Sequence, residues 1–309
     1  MRETWVIGSR GSKLALWQAD FVRKAIQQYF PDFTIQIKVI KTSGDTRKWS
    51  KLWEMGGKGV FTKEIEDALF QGEIDLAVHS LKDLPTVLPK GLGLGAVPDR
   101  ETPTDVLISK ENVLLEHLPE GARLGTSSFR RRAQLLRLKP HLKMEEVRGN
   151  VPTRIRKVHE GLLDAVVIAK AGVVRLGLQE WITQEFSFDE ILPAPGQGAL
   201  AVEIREEDDE ARNLLSPINQ EDYFDATSGE RSFLEHLGGG CRLPIAAYGE
   251  VQGEEFFLDG LVASPNGQKM VRKKISGMKK DSEVLGKKLA QQMLDEGVGE
   301  FLKVKRWKD

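Results

Sequence analysis

A chain of 309 residues, 40% apolar and 29% charged, holds enough apolar material for two or three packed domains, which excludes a disordered or fibrous protein. Its 45 Lys+Arg nearly balance its 46 Asp+Glu, so at a formal net charge of -1 any site for a polyanion has to be local. No apolar run approaches the roughly 18 residues that span a bilayer, and residues 1–10 lack an apolar leader core, so a cytoplasmic protein without a membrane partner is expected.

Residues 4–8 form a short apolar strand, and Ser12 caps a helix whose Leu14, Leu16, Trp17, Phe21, Val22 and Ala25 fall largely on one face. Residues 33–40 alternate with period two, as a half-buried strand does. A polar loop over 41–59 contains Gly56-Gly57-Lys58-Gly59, and its part from 43 to 59 is expected to be a mobile lid. A helix over 62–71 leads to 74–79, a continuous apolar run of the kind found in parallel strands covered on both faces. The middle of the chain repeats this plan: Arg123–Ser128 matches the strand-to-capped-helix step of Val6–Ser12, and 161–169 echoes 72–80. Two related α/β lobes follow from that repeat. The proline-containing stretches 98–104 and 193–198 read as two crossovers at one hinge, with strand 199–204 returning to the first lobe and a ligand cleft between the lobes. After Leu243, alternating strands over 244–251, 255–263 and 269–275, a turn at 264–267 and a helix over 281–296 with apolar Val284, Leu285, Leu289, Met293 and Leu294 predict a C-terminal α+β domain with an antiparallel sheet. The expected domains are 1–98 with 199–216, then 104–193, then 221–309.

Three segments carry chemistry. Between Arg123 and Lys157 there are eight Arg and three Lys against only Glu145 and Glu146. Such a run also serves as a solvated helix face, but Arg130 and Arg131 follow Ser128 at a helix N-terminus, where free N–H groups favour anions, and Arg148 and Arg154 flank the next strand-to-helix step. With Arg10, Ser12, Lys13 and Lys58 they suit a ligand with several carboxylates. The net acidic chain, whose cationic stretch lacks interleaved aromatics, argues against nucleic acid. Second, His79-Ser-Leu-Lys82-Asp83 ends a buried strand, where doubly wound sheets place ligands. Asp83 is a candidate acid/base, or else a cap or ion-pair partner, and His79 reads as a core residue. Third, the single cysteine, Cys241, follows three glycines: it has no disulfide partner and no companions for zinc, and it is either an inert core thiol or a covalent tether. His236 is a weak candidate for a relay with it.

In order and spacing, GSRGSKLAL (8–16), GGKGVF (56–61), AVHSLKD (77–83), GTSSFRR (125–131), RGN (148–150), GQGA (196–199) and GGC (239–241) resemble the hydroxymethylbilane synthase (porphobilinogen deaminase) family over nearly the whole chain. The resemblance implies two lobes similar to type II periplasmic binding proteins plus a third domain, and a transferase of haem and tetrapyrrole biosynthesis. That enzyme joins four porphobilinogen molecules into hydroxymethylbilane on a dipyrromethane cofactor held by a thioether to Cys241. It further implies Asp83 as catalytic residue; Lys82, Thr126, Ser128, Arg130, Arg131, Arg148, Asp45 and Lys58 as cofactor-binding residues; and Arg10, Ser12, Arg148, Arg154, Arg175, Gln197 and Phe61 as substrate-binding residues. The implied partners are porphobilinogen and the growing oligopyrrole, with no metal and a monomeric enzyme. Gly238, Arg242 and Pro195 depart from the family pattern, in which an acidic residue, glutamine and valine are usual, and Trp49 and Trp53 make the lid aromatic. A non-enzymatic two-lobed binding protein explains the anion site but not Cys241.

Overall fold

The computed structural model describes residues 2–43, 62–239 and 243–302. The chain runs through β1 (Thr4–Ser9), α1 (Lys13–Tyr29), β2 (Thr34–Val39), α2 (Lys63–Phe70), β3 (Leu76–Ser80) and β4 (Leu92–Ala96). It continues with β5 (Asp105–Ser109), β6 (Arg123–Gly125), α3 (Phe129–Leu138), β7 (Lys143–Glu145), α4 (Val151–His159), β8 (Ala165–Ala169), α5 (Lys170–Val174) and β9 (Gln184–Glu185). Last come β10 (Leu200–Arg205), α6 (Asp209–Leu215), α7 (Glu221–His236), β11 (Ile245–Gln252), β12 (Glu255–Ala263), β13 (Met270–Met278) and α8 (Ser282–Asp295). The chain divides into two units, Met1–Arg100 with Ala199–Phe224, and Glu101–Gly198 with Asp225–Asp309.

The first unit is built on a sheet of order β2-β1-β3-β10-β4. β1 pairs in parallel with β2 and β3, whereas β10 runs antiparallel to β3 and β4. The apolar run on β3 is therefore covered on both faces but paired in parallel on one side only: Leu76 and Val78 face the core with Trp5, Ile7 and Val22, while Ala77 faces Ile65 and Leu69 of α2. Ser12 caps α1 by accepting a hydrogen bond from the Ala15 amide at 3.2 Å. The buried stripe of that helix differs from expectation: it is Ala15, Gln18, Ala19, Val22 and Ile26, and Trp17 lies on the outer face, stacked on Phe21. At 3.6 residues per turn, Ala15, Ala19, Val22 and Ile26 share one face, and the small alanines let the helix approach the sheet closely.

The second unit contains a sheet of the same plan, β7-β6-β8-β5-β9, again with three parallel strands followed by an antiparallel one. The same unit holds the antiparallel sheet β11-β12-β13, with α8 packing Leu289, Ala290 and Met293 into its core while Val284 stays exposed. This sheet meets α3 through Ala133, Ala246, Leu261 and Ala263. The Ser264–Gly267 turn closes with the Gly267 amide donating to Ser264 O at 2.9 Å. Gly267 has φ 72, and a Cβ there would sit 2.1 Å from the Ala133 carbonyl oxygen. Glycine is required twice at this position, for its left-handed backbone and for its lack of a side chain against α3. Gly267→Ala is expected to destabilise this unit by about 2–3 kcal/mol, read as a lowered urea midpoint at unchanged slope.

Candidate active site

Because β1 and β3 run in parallel, with Ile7 beside Leu76 and Gly8 beside Ala77, their C-terminal ends reach the same edge of the first sheet. Arg10 and the cap Ser12 leave that edge from β1, and Lys82 and Asp83 leave it from β3 in a single 3-10 turn, Leu81–Asp83. Gln18 of α1 ties the two exits together by donating to Ser80 Oγ at 2.8 Å. Asp83 is exposed, while Arg10 and Lys82 are half-buried. Behind this edge His79 is buried, as expected, with Nε2 3.2 Å from Glu203 Oε2. Burial pushes the nearby Glu66 carboxyl up, and the negative charge of Glu203 pushes in the same direction.

The second sheet repeats the arrangement. β6 is parallel to β7 and β8, so Thr126 and Ser128, Arg148, and Lys170 leave one edge. Thr126 is buried and its Oγ1 accepts from the Ser128 amide at 3.2 Å, and Ser128 in turn caps α3 by accepting from Arg131 N at 3.4 Å. Arg148 is exposed and rests on Glu146 at 3.0 Å, and Arg154 Nε donates to Gly149 O at 2.7 Å.

Arg130 and Arg131 occupy a different environment, being only 4% and 6% exposed. Arg130 Nη1 and Arg131 Nη2 each lie 2.7 Å from an oxygen of Asp105, at the start of β5. Leu192 O accepts from Arg130, and Val167 O from Arg131. Burial alone would raise the Asp105 carboxyl, but the two guanidinium groups outweigh it and hold the acid well below the usual carboxylate range. Gln197 is also fully buried and donates to Asp105 Oδ1 at 2.9 Å and Pro103 O at 2.6 Å. Arg175, likewise buried, donates to Gly198 O at 2.7 Å. Asp105 was missed in the sequence because an acid opening the apolar run Val106-Leu107-Ile108 carries no local signal of its partners, which are 25 and 26 residues further on.

Asp45, Lys58, Phe61 and Cys241, with most of the expected lid, lie outside the described residues. Two guanidinium charges against one carboxylate leave a buried positive excess, and the Nε atoms of Arg130 and Arg131 have no hydrogen-bond partner among the described residues. This donor set fits a carboxylate-bearing group such as dipyrromethane. Among the described residues there is no cluster of His, Cys, Asp or Glu able to hold a metal, and no helix long and apolar enough to cross a membrane.

Two α/β sheets with cationic C-terminal edges and a buried arginine pair define a class of protein suited to polycarboxylate ligands. The model of the porphobilinogen deaminase dipyrromethane cofactor binding domain matches residues 5–213, and that of the porphobilinogen deaminase C-terminal domain matches 225–295. The porphobilinogen deaminase of Pelotomaculum thermopropionicum is 46% identical over 303 residues, covering 98% of this chain and 97% of the relative. That of Geobacter sulfurreducens is 46% identical over 296 residues, covering 96% and 93%. The chain belongs to the porphobilinogen deaminase family. Among solved structures, a putative methionine-binding lipoprotein from Bacillus subtilis is 13% identical with a TM-score of 0.44, covering 72% of this chain and 93% of its own. An ancestral arginine-binding protein bound to arginine is 17% identical with a TM-score of 0.39, covering 71% and 90%. Likenesses of this degree carry no argument about function.

The Asp105 cluster sets a pH dependence. The folded pKa of Asp105 lies below the unfolded value of about 3.9, so its contribution to stability is complete above about pH 4 and is lost as pH falls toward the folded value. Asp105→Ala is expected to cost about 3–5 kcal/mol at neutral pH, since two buried cations lose their counter-charge. Urea midpoints measured from pH 7 down to pH 2 should fall less steeply for the variant than for the wild type.

Proposed function

We propose that this chain is a hydroxymethylbilane synthase, deaminating four porphobilinogen molecules and joining them head to tail on a dipyrromethane held as a thioether by Cys241. The observation that carries this reading is the family match over residues 5–213 and 225–295, which includes every motif position named above. When bound, the dipyrromethane supplies the pyrrole end to which substrate is joined.

The roles of the chain's own residues follow from their settings. Asp83, exposed at the sheet edge, holds its negative charge against the positive charge that develops on the substrate pyrrole as ammonia leaves, and accepts the ring proton released when the new carbon–carbon bond forms. Arg10, Ser12, Arg148, Arg154 and Phe61 serve in substrate binding, the cations and the hydroxyl taking acetate and propionate groups. Lys82, Thr126, Ser128, Arg130, Arg131, Arg148, Asp45 and Lys58 hold the cofactor. Arg175 and Gln197, expected from the resemblance to bind substrate, are buried against Gly198 and the 103–105 segment, and are proposed instead to act by fixing that backbone.

The C-terminal region, 221–309, is proposed as a third domain beside lobes 1–98 with 199–216 and 104–193, supported by its own sheet and core. The enzyme is proposed to be cytoplasmic and monomeric, with neither nucleic acid nor membrane as a partner.

Incubation with porphobilinogen, followed by acidification and oxidation, is expected to consume substrate and yield a uroporphyrin-type absorbance. No consumption by protein whose intact mass includes the pyrrole adduct would instead favour a binding protein. Asp83→Ala is expected to keep the fold, by circular dichroism, and to lose at least about a hundredfold in turnover. Cys241→Ser is expected to lack the adduct mass.

A further inference from the structure

The cluster at Asp105 is more elaborate than a pair of cations awaiting a ligand. The carboxylate is fully buried, and its two oxygens are divided between Arg130 Nη1 and Arg131 Nη2. The carbonyls of Leu192 and Val167 take further N–H groups, at 2.7 and 3.2 Å. Each guanidinium is thus held by an ion pair to the shared carboxylate and by a hydrogen bond to a backbone carbonyl, and its Nε has no hydrogen-bond partner among the described residues.

Charge decides why an acid is needed there. Two adjacent guanidinium groups in a low-dielectric interior repel each other, and burial already lowers the pKa of Arg130. One carboxylate reduces the pair to a single net positive charge, which is enough to attract an anionic group and small enough to be buried. Gln197 completes the arrangement: its amide donates to Asp105 Oδ1 and to Pro103 O, tying the acid to the backbone that enters β5.

We infer that Asp105 is a positioning residue for the carboxylate grip, a built-in anion that aligns Arg130 and Arg131 and sets their net charge, with Gln197 as the amide that holds it in place. This rests on the proposal that the two arginines hold cofactor carboxylates. Those carboxylates persist unchanged through the reaction, so misaligning the grip weakens loading and substrate binding more than the chemical step.

The test compares Asp105→Asn, Gln197→Met, Arg131→Leu and the control Asp164→Asn, which removes the more exposed ion pair with Arg123 in the same unit. Each protein is shown to be folded by circular dichroism. The fraction of chains with the pyrrole adduct is then read by intact mass, and KM and kcat are taken per adduct-bearing chain. Asp105→Asn is expected to lower the adduct fraction and raise KM, each by about tenfold, while kcat per loaded chain changes less than about threefold. Gln197→Met keeps every charge and is expected to shift the same two quantities by about threefold. Asp164→Asn should load like the wild type. A wild-type adduct fraction and KM in folded Asp105→Asn, or in Gln197→Met where the first variant does not fold, overturns the inference. Arg131→Leu separates this idea from the one beneath it: normal loading would remove the arginines as grips altogether. Loss of loading there, alongside normal loading in the Asp105 and Gln197 variants, would remove only the positioning role.

Discussion

One buried carboxylate shared by two arginines governs the second unit. Asp105 joins the start of β5 to α3, and through Arg130 and Gln197 it reaches the backbone at Leu192 and Pro103. The segment 193–198 has almost no regular structure of its own, so its shape is set by side chains of this kind. Glu230 of α7 plays a matching part on the other side, accepting from the Gly196 and Gly249 amides, both at 2.6 Å. Buried carboxylates that accept backbone N–H groups and guanidinium forks are well compensated, and the removal of any one partner leaves another stranded.

The two α/β sheets share an order and an alternation of strand direction, which explains why related motifs recur in both. In each, a glycine-containing strand end is followed by a serine that caps the next helix, Ser12 on α1 and Ser128 on α3. Parallel pairing then brings the exits of neighbouring strands to the same edge, so residues far apart in sequence emerge together. Short polar caps and long cations therefore collect at that edge without a dedicated pocket-building element.

The proposed chemistry divides by exposure. Asp83 stands exposed at the end of β3, where a carboxylate is open to substrate, whereas Asp105 is buried and held in its charged form by two arginines. In the proposed scheme the same side-chain type is a reacting group in one sheet and a fixed counter-ion in the other, and solvent access makes the difference. His79 of β3 and Glu203 of β10 are likewise buried, with Nε2 3.2 Å from Oε2.

The sequence by itself determined the strands over 4–8, 33–40, 74–79 and 199–204 and those of the C-terminal sheet, the Ser12 and Ser128 caps, the Ser264–Gly267 turn and the family motifs, because each depends on residues close together in the chain. It also placed Asp83 at a strand end, since an apolar run followed by a short polar motif is legible locally. Tertiary structure alone decided which face of α1 is buried, with Trp17 outward, and which of the many arginines are exposed and which are buried beside an acid. Arg131 reaches an acid 26 residues away, and Gln197 reaches the same acid across 92 residues. Periodicity cannot encode contacts at such separations: they exist only once β5 lies antiparallel to β8 and the returning segment passes beside it, which is a property of sheet order and not of any local stretch of chain.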